Sequence, residues 1–577
     1  MPANSRGPLR EWLRNADLVH HRSTVFNRSE EKNYTCALIA KSIPYTVRKN
    51  MHSIELFELI VSMFLAVLVL QYVALRLRLP PAVALLLGGG ALAFVPGLPT
   101  VELDPELVLV IFLPPLLMDG AWFTSLAHFR RHLGGITSLA VGAVLFTAAV
   151  VALVTKLILP DLPWAACVAL GAIVSPPDAV SARAVLQRVK LPRRLGTLLE
   201  GESLLNDATG IVLFRFAVAA AVTGAFSLGG AVGSFAVLVG GGIVVGGVIG
   251  AAWVLLLRRL GDDQLMIAAS VLVCWASYLA GEKLHASGVI AAVTAGLVCG
   301  WYQHVILTAS VRIRALSFWQ VMISLLEAAV FVLIGLSLRG VIDRVGGISV
   351  VIEDMAWSVV AIIAAVTLAR FAWIFGSDAI LGLLNRAGWH GAEPLGSRAA
   401  CVMSWAGMRG VVTLAVALSL PETMPGRDLM LVAAFAVILV TVILQGMTLG
   451  LVIRIAGLQE DERSKPPLDL FAAEVAMLKA QFVEVERMAY ASDGSLLHPR
   501  LLDSYRRRAT LSAEFLGSPE ERDQSIAAHY DVILAAVAAG RAELVRLHRA
   551  RQIDDETLHD LERDLDLEEL IAIAAKG

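Results

Sequence analysis

The chain is a succession of apolar segments, each about as long as the ~20 residues that a helix needs to cross the ~30 Å hydrocarbon core of a bilayer. Hydrophobic residues make up 57% of the 577 residues and charged residues 17%, whereas roughly a quarter of a soluble domain is charged. These values exclude a soluble enzyme, a nucleic-acid-binding protein and a disordered scaffold for most of the chain. The sequence predicts an all-α, polytopic membrane protein embedded in a lipid bilayer.

Charged residues and Pro/Gly breaks divide residues 51–458 into about thirteen predicted transmembrane helices. If the first helix begins outside, the inner loops carry sixteen Lys/Arg and the outer side carries five. Lys and Arg concentrate in cytoplasmic loops, so we expect the last helix to exit on the cytoplasmic side of the plasma (inner) membrane. The predicted helices cover residues 53–75, 80–98, 105–124, 133–158, 164–188, 196–224, 230–259, 264–281, 286–302, 316–340, 349–384, 398–420 and 428–456.

Two hydrophilic segments flank this predicted membrane domain. Residues 459–577 carry 24 Asp/Glu and 15 Lys/Arg, and apolar residues at helical spacing predict a helical cytoplasmic tail. Residues 1–50 carry nine Lys/Arg against four Asp/Glu and lack the apolar core of a signal peptide. The predicted orientation would place this basic extension outside, so we expect the natural chain to start at or near Met51.

Ten ionisable residues within the predicted helices need an explanation, because a charge at the bilayer centre costs roughly 2.5–3.5 kcal/mol. Such residues mark ion paths or pair with one another, so each is a candidate functional or structural charge. They are Asp119, Asp178, Glu200, Glu202, Asp207, Arg215, Glu327, Arg370, Asp378 and Arg409.

The fifth predicted helix is broken beside one of these carboxylates. Pro176 and Pro177 remove two backbone donors directly before Asp178, and each proline inside a regular helix costs about 3 kcal/mol or more. A membrane tolerates irregular backbone only where protein or a wet cavity surrounds it. Exposed carbonyl oxygens beside a carboxylate suit a small hard cation, and we favour this interpretation over a packing kink with a paired aspartate.

The sixth predicted helix presents polar side chains at helical spacing. Ser203 and Asp207 are four residues apart and share one face, and Glu202 and Asn206 share the adjoining face. Packed against the break before Asp178, these residues would bring two carboxylates and several neutral oxygens together. The alternative is a structural polar cluster that holds helices together.

The twelfth predicted helix carries a cation, Arg409, between Gly407 and Gly410. With the seventh helix counted as a linker, this helix corresponds in the second half of the chain to the broken fifth helix. Interrupted helices at corresponding positions indicate an inverted-repeat transporter with a site near the midplane. We therefore expect two inverted six-helix repeats, with Arg409 balancing the opposite break and Glu202 paired structurally with Arg370.

Five segments together resemble the cation:proton antiporter-1 family, the sodium/proton exchangers. They follow the family's order over residues 54–456, and the run that begins at Glu200 is highly specific. The resemblance implies a thirteen-helix inverted-repeat fold, a homodimer, and secondary exchange of Na⁺ for H⁺ with no enzyme activity and no cofactor. The segments are Phe112-Leu-Pro-Pro115, Gly171-Ala-Ile-Val-Ser175 with Asp178, Glu200-Gly-Glu-Ser-Leu-Leu-Asn-Asp-Ala208, Glu327 before Val330-Phe-Val-Leu-Ile-Gly335, and Trp405-Ala-Gly-Met-Arg-Gly410.

The resemblance also implies roles for single residues. Asp178 and Asp207 match the carboxylates that bind Na⁺ and the proton, and Ser203 matches an oxygen ligand of the ion. Many members have threonine where this chain has Pro177, so only the carbonyl of that residue can contribute, and ion selectivity stays open. The other matches are Asn206 with the asparagine of electroneutral exchangers, Glu202 and Arg370 with a structural ion pair, and Asp119 with an acidic residue near the ion path.

The mechanism that these residues suggest is competition at one site, because Na⁺ needs an ionised carboxylate and a bound proton excludes the cation. A K⁺/H⁺ or broad monovalent-cation exchanger is the close alternative, since selectivity depends on the size of the cavity. An intramembrane protease also uses two membrane aspartates, but it requires a Gly-x-Gly-Asp element that the chain lacks. A channel with a sensing tail would lack proton coupling.

Overall fold

In a computed structural model the described part of the chain folds into helices joined by short turns. The basic segment 1–50, the start at Met51 and residues 179–188 of the predicted fifth helix lie outside the described residues. The structure describes residues 53–96, 104–124, 126–178, 191–224, 228–388, 394–458, 470–490, 495–514, 519–553 and 555–576.

The membrane domain contains fifteen described helices, α1 to α15. Nine of them, α3, α5, α7 to α12 and α15, are long and apolar enough to cross a bilayer, and α1, α2 and α6 contribute shorter apolar helices. The total of thirteen membrane-spanning helices therefore stays a prediction. The bounds from α1 to α15 are Ser53–Leu77, Pro81–Ala93, Pro105–Phe123, Leu126–Arg131, Leu133–Ile158, Trp164–Val174, Arg193–Thr223, Leu228–Leu257, Asp263–Lys283, Gly288–Ile306, Ala309–Val345, Ile348–Arg386, Ser397–Trp405, Val411–Leu418 and Arg427–Ala456.

Two of the predicted helices are not continuous. The helix predicted over 164–188 ends at Val174, directly before the serine and the two prolines that close it. The helix predicted over 398–420 consists of two half-helices, α13 and α14, separated by residues 406–410. Helical structure stops at the two sequence features that predicted irregular backbone. These features are a pair of prolines and an arginine flanked by glycines.

Glycines bring several of the long helices into close contact. An ideal Cβ on Gly89 in α2 would lie 3.0 Å from the Cα of Val332 in α11. One on Gly246 in α8 would lie 2.9 Å from the Cα of Ala291 in α10. Backbones this close leave no space for a side chain, and Val332 and Ala291 are fully buried.

Residues 457–577, together with Leu191–Gly196, form a second compact unit, and the part after Gly457 contains four described helices. They are α16 (Leu470–Ala489), α17 (Pro499–Glu514), α18 (Pro519–Arg549) and α19 (Asp555–Lys576). Within this unit α16 contacts α17, and α18 contacts α19. Arg541 of α18 links the second pair, with its Nη2 2.5 Å from Asp566 and 2.6 Å from Glu569.

Candidate functional site

The first break follows α6. The last helical hydrogen bond runs from the N–H of Ser175 to the carbonyl oxygen of Gly171 at 3.0 Å, because Pro176 and Pro177 have no backbone N–H. Beyond the prolines, the backbone N–H of Asp178 donates to the carbonyl oxygen of Met408 at 2.7 Å. Met408 lies in the second break, so a backbone hydrogen bond joins the two interruptions directly.

The second break, between α13 and α14, carries Arg409, which is 1% exposed. Its guanidinium donates to the carbonyl oxygens of Val174 at 3.0 Å and Ser175 at 3.3 Å, and to that of Gly407. Its backbone N–H donates to Thr441 Oγ1 at 3.1 Å. A cation at a helix C-terminus compensates unpaired carbonyl groups. Arg409 therefore stabilises the end of α6 from the opposite break.

Helix α7 contacts the segment 176–178 through two residues. Asn206 is fully buried, and its Nδ2 donates to the carbonyl oxygen of Pro177 at 2.6 Å. Its Oδ1 has no hydrogen-bond partner among the described residues. One turn later, an ideal Cβ on Gly210 would lie 3.3 Å from Cδ of Pro176. The segment is thus enclosed between α7 and the second break, and we call this arrangement the junction.

The two aspartates predicted to bind ions meet at the junction. Asp207 on α7 is 7% exposed, and Asp178 at the end of the broken segment is half-buried. They lie close enough to interact electrostatically. Ser203, one turn before Asp207 on the same helix face, is half-buried. The junction therefore collects two carboxylates, a hydroxyl, a prolyl carbonyl and an amide.

Glu202 and Arg370 form a buried ion pair. Nη1 of Arg370 donates to Oε1 of Glu202 at 2.6 Å and Nη2 donates to Oε2 at 2.9 Å, with side-chain exposures of 3% for Arg370 and 2% for Glu202. Nη2 also donates to the carbonyl oxygen of Met403 at 3.1 Å, in the last turn of α13. The pair thereby joins α7, α12 and α13.

Asp119 lies in a different environment from the junction. It lines a cavity of about 680 Å³ together with Glu200 and Glu327, and α1, α2 and α11 supply most of the other lining residues. Among the described residues, the lining of this cavity includes neither Asp178 nor Asp207. Asp119 thus shares its surroundings with two other carboxyl side chains rather than with the aspartates of the junction.

Two other charges that the sequence places in membrane helices are engaged locally. Oδ1 of Asp378 accepts hydrogen bonds from the backbone N–H groups of Leu395 at 2.5 Å and Gly396 at 3.2 Å, in the turn before α13. Arg215 lies 3.3 Å from Glu282 at the end of α9, with side chains 56% and 35% exposed. Glu282 belongs to the last turn of that helix, which extends two residues beyond its predicted end at residue 281.

Some residues that contact the junction or the Glu202–Arg370 pair were missed by sequence reasoning. Thr441 is one hydroxyl in an apolar helix, in a π-helical turn that no local signal marks. Met403 and Met408 contribute backbone carbonyl groups, so their side-chain types carry no information. Only Gly410 had a signal, as one of the glycines that bracket Arg409.

Interrupted helices that meet beside buried carboxylates are typical of a secondary transporter. A family model described as "Sodium/hydrogen exchanger, transmembrane" matches residues 60–455. An uncharacterized Na⁺/H⁺ exchanger of Mycobacterium tuberculosis is 32% identical over 525 residues, covering 89% of this chain and 95% of that protein. The chain belongs to the sodium/hydrogen exchanger family, whose members are multi-pass membrane antiporters and not enzymes, so the resemblance seen in the sequence is confirmed.

Two further comparisons concern cations and fold. A "Sodium, potassium, lithium and rubidium/H(+) antiporter" of Bacillus subtilis is 35% identical over 389 residues, covering 64% of this chain and 57% of that protein. The solved structure of the sodium proton antiporter MjNhaP1 from Methanocaldococcus jannaschii matches with a TM-score of 0.56 and 20% identity. This match covers 70% of the chain and all of MjNhaP1, and it shows the fold.

Proposed function

We propose that the chain exchanges Na⁺ for H⁺ at the junction, and the observation that carries the proposal is a contrast between two neighbouring carboxylates. Glu202 is compensated by Arg370. Asp207, which is 7% exposed, pairs with no Lys, Arg or His among the described residues. An uncompensated buried charge is costly, so a carboxylate in that position needs either a proton or a cation. The two transported ions of an antiporter meet this need in alternation.

The ligands we propose for Na⁺ are all oxygens. Carboxylate oxygens of Asp178 and Asp207 provide the charge, and the hydroxyl of Ser203 provides a neutral ligand. The carbonyl oxygen of Pro177 has two lone pairs, and it accepts the hydrogen bond from Nδ2 of Asn206 with one of them, which leaves the other for the ion. The ions are themselves the substrates, so the cycle needs no cofactor. Asp119, in its separate cavity, is assigned to the ion path and not to the site.

The cycle follows from competition. With Na⁺ bound, both aspartates are ionised, and with the proton bound, the site no longer attracts the cation. Alternating access then exposes either loaded state to each side of the membrane, driven by the opposing gradient. We further propose two inverted repeats, a homodimer, a plasma-membrane location with the tail in the cytoplasm, and a role in pH and sodium homeostasis.

A broader selectivity for monovalent cations is the second candidate. The printed name of the Bacillus subtilis relative includes potassium, lithium and rubidium. Many family members have a threonine where this chain has Pro177, which offers no side-chain oxygen. Compared with those members, the site therefore has one ligand fewer to define its size. A looser site discriminates less between cations that differ only in radius.

The test is proton release from inverted vesicles that contain the full chain and hold a pH gradient. We expect Na⁺ to dissipate the gradient in vesicles with the wild-type chain, and Asp207→Asn and Asp178→Asn to abolish this response while the protein remains folded. Asp343→Asn, at the exposed end of α11, is the matched control and should behave as wild type. Cation-dependent proton release by the Asp207 variant would remove that residue from the site. Equal responses to Na⁺, Li⁺ and K⁺ would favour the second candidate.

A further inference from the structure

Gly410 forms the wall of the junction that faces Asp178. An ideal Cβ on Gly410 would overlap Oδ2 of Asp178 and would lie 2.6 Å from its Cγ and 3.0 Å from its Cβ. The site therefore requires glycine because of close approach, since the carboxylate occupies the space that a side chain would fill.

Asp178 has a helix on its other side as well. The two residues before it contact α7, Pro176 at Gly210 and Pro177 through the amide of Asn206. A side chain at position 410 would therefore push the carboxylate away from the second break and towards α7, the helix that carries Asp207.

We propose that Gly410 is a specificity-determining residue. By having no side chain, it sets the separation between the Asp178 carboxylate and α7, and hence the radius of the cation that the two aspartates accept. The proposal rests on the proposed function, because it assumes that the ion binds between these aspartates. Larger alkali cations need longer distances to oxygen, so a narrower junction excludes Rb⁺ before K⁺, K⁺ before Na⁺, and Na⁺ before Li⁺.

The test compares Gly410→Ala with Gly450→Ala in vesicles. Gly450 lies in α15, and a Cβ there meets nothing within 4 Å. KM and maximal rate are measured for Li⁺, Na⁺, K⁺ and Rb⁺ from cation-dependent proton release. One methyl group in a fitted pocket discriminates by roughly 10–200-fold, so we expect the Na⁺-to-Li⁺ ratio of KM to rise by about tenfold or more in Gly410→Ala. The ratio should stay at the wild-type value in Gly450→Ala.

An unchanged ratio in Gly410→Ala, or a shift in favour of larger cations, would overturn the proposal. If that variant does not fold, the double variant Gly410→Ala/Asp178→Ala decides. Recovery of folded, monodisperse protein would support the contact with the carboxylate, and no recovery would overturn it. The proposed function fails separately, if Asp178→Asn alone retains exchange.

Discussion

Removing Arg370 should destabilise the protein strongly, because its guanidinium satisfies two groups at once. Arg370→Ala leaves the carboxylate of Glu202, which is 1% exposed, without its two charge-assisted hydrogen bonds. The carbonyl oxygen of Met403 also loses its donor from Arg370. Breaking a buried pair by removing one partner costs about 3–5 kcal/mol. At ~1.4 kcal/mol per factor of ten, a loss in the middle of that range lowers the folded-to-unfolded ratio by about a thousandfold.

The assay is thermal unfolding of the purified full-length protein in detergent, together with the yield of monodisperse protein. Arg314→Ala provides the control, because Arg314 and Asp263 are 3.7 Å apart with side chains 61% and 29% exposed. Exposed pairs contribute about 0–1 kcal/mol, so this variant should unfold near the wild-type temperature.

A second substitution separates the unpaired charge from the lost packing. Glu202→Ala in the Arg370→Ala background removes the uncompensated carboxylate, so the double variant should be more stable than Arg370→Ala alone. Recovery should be partial, because the Met403 carbonyl still lacks its donor and a cavity remains. The reasoning is refuted if Arg370→Ala is as stable as Arg314→Ala, or if the double variant shows no recovery.

Two further predictions concern Arg409 and charge movement. Arg409→Gln should lower the unfolding temperature, because it replaces the charged donor that hydrogen-bonds to the carbonyl oxygens of Val174 and Ser175. Hydrogen bonds from a charged donor contribute about 1.5–3 kcal/mol each. An unfolding temperature equal to that of the wild type would contradict this prediction. One-for-one exchange moves no net charge, whereas one charge crossing 100 mV is worth about 2.3 kcal/mol. A potential imposed with valinomycin should therefore leave the equilibrium Na⁺ gradient unchanged, and a gradient that follows the potential would refute the stoichiometry.

The sequence was informative about the position of each break and about which charges need an explanation. Proline and glycine act on the backbone locally, so the ends of α6 and α13 follow from Pro176, Pro177 and the glycines around Arg409. The cost of charge in hydrocarbon singled out Asp178 and Asp207 without any knowledge of packing.

The contacts across the junction could not be predicted in the same way. The bond from Asp178 N–H to the Met408 carbonyl joins segments distant in the chain, and neither residue type signals it. Asp378 was singled out as a membrane charge, yet it accepts hydrogen bonds from a turn because α12 runs beside that turn. Asp119 matches an acidic residue near an ion path, but only the packing of α1, α2, α3, α7 and α11 shows that it shares a cavity with Glu200 and Glu327.

The hydrogen bonds at the junction also limit how alternating access can occur. Arg409 in the second break donates hydrogen bonds to the end of α6, and the N–H of Asp178 in the first break donates to the carbonyl oxygen of Met408. Asn206 of α7 donates a hydrogen bond to the carbonyl oxygen of Pro177 in the first break, so α7 is connected to the same network. If the breaks separated during transport, the guanidinium of Arg409, which is 1% exposed, would lose its carbonyl partners, and an uncompensated buried charge is costly. We therefore expect α6, α7, α13 and α14 to move as one body that carries the proposed site with it, while the change of access occurs where that body contacts the remaining helices.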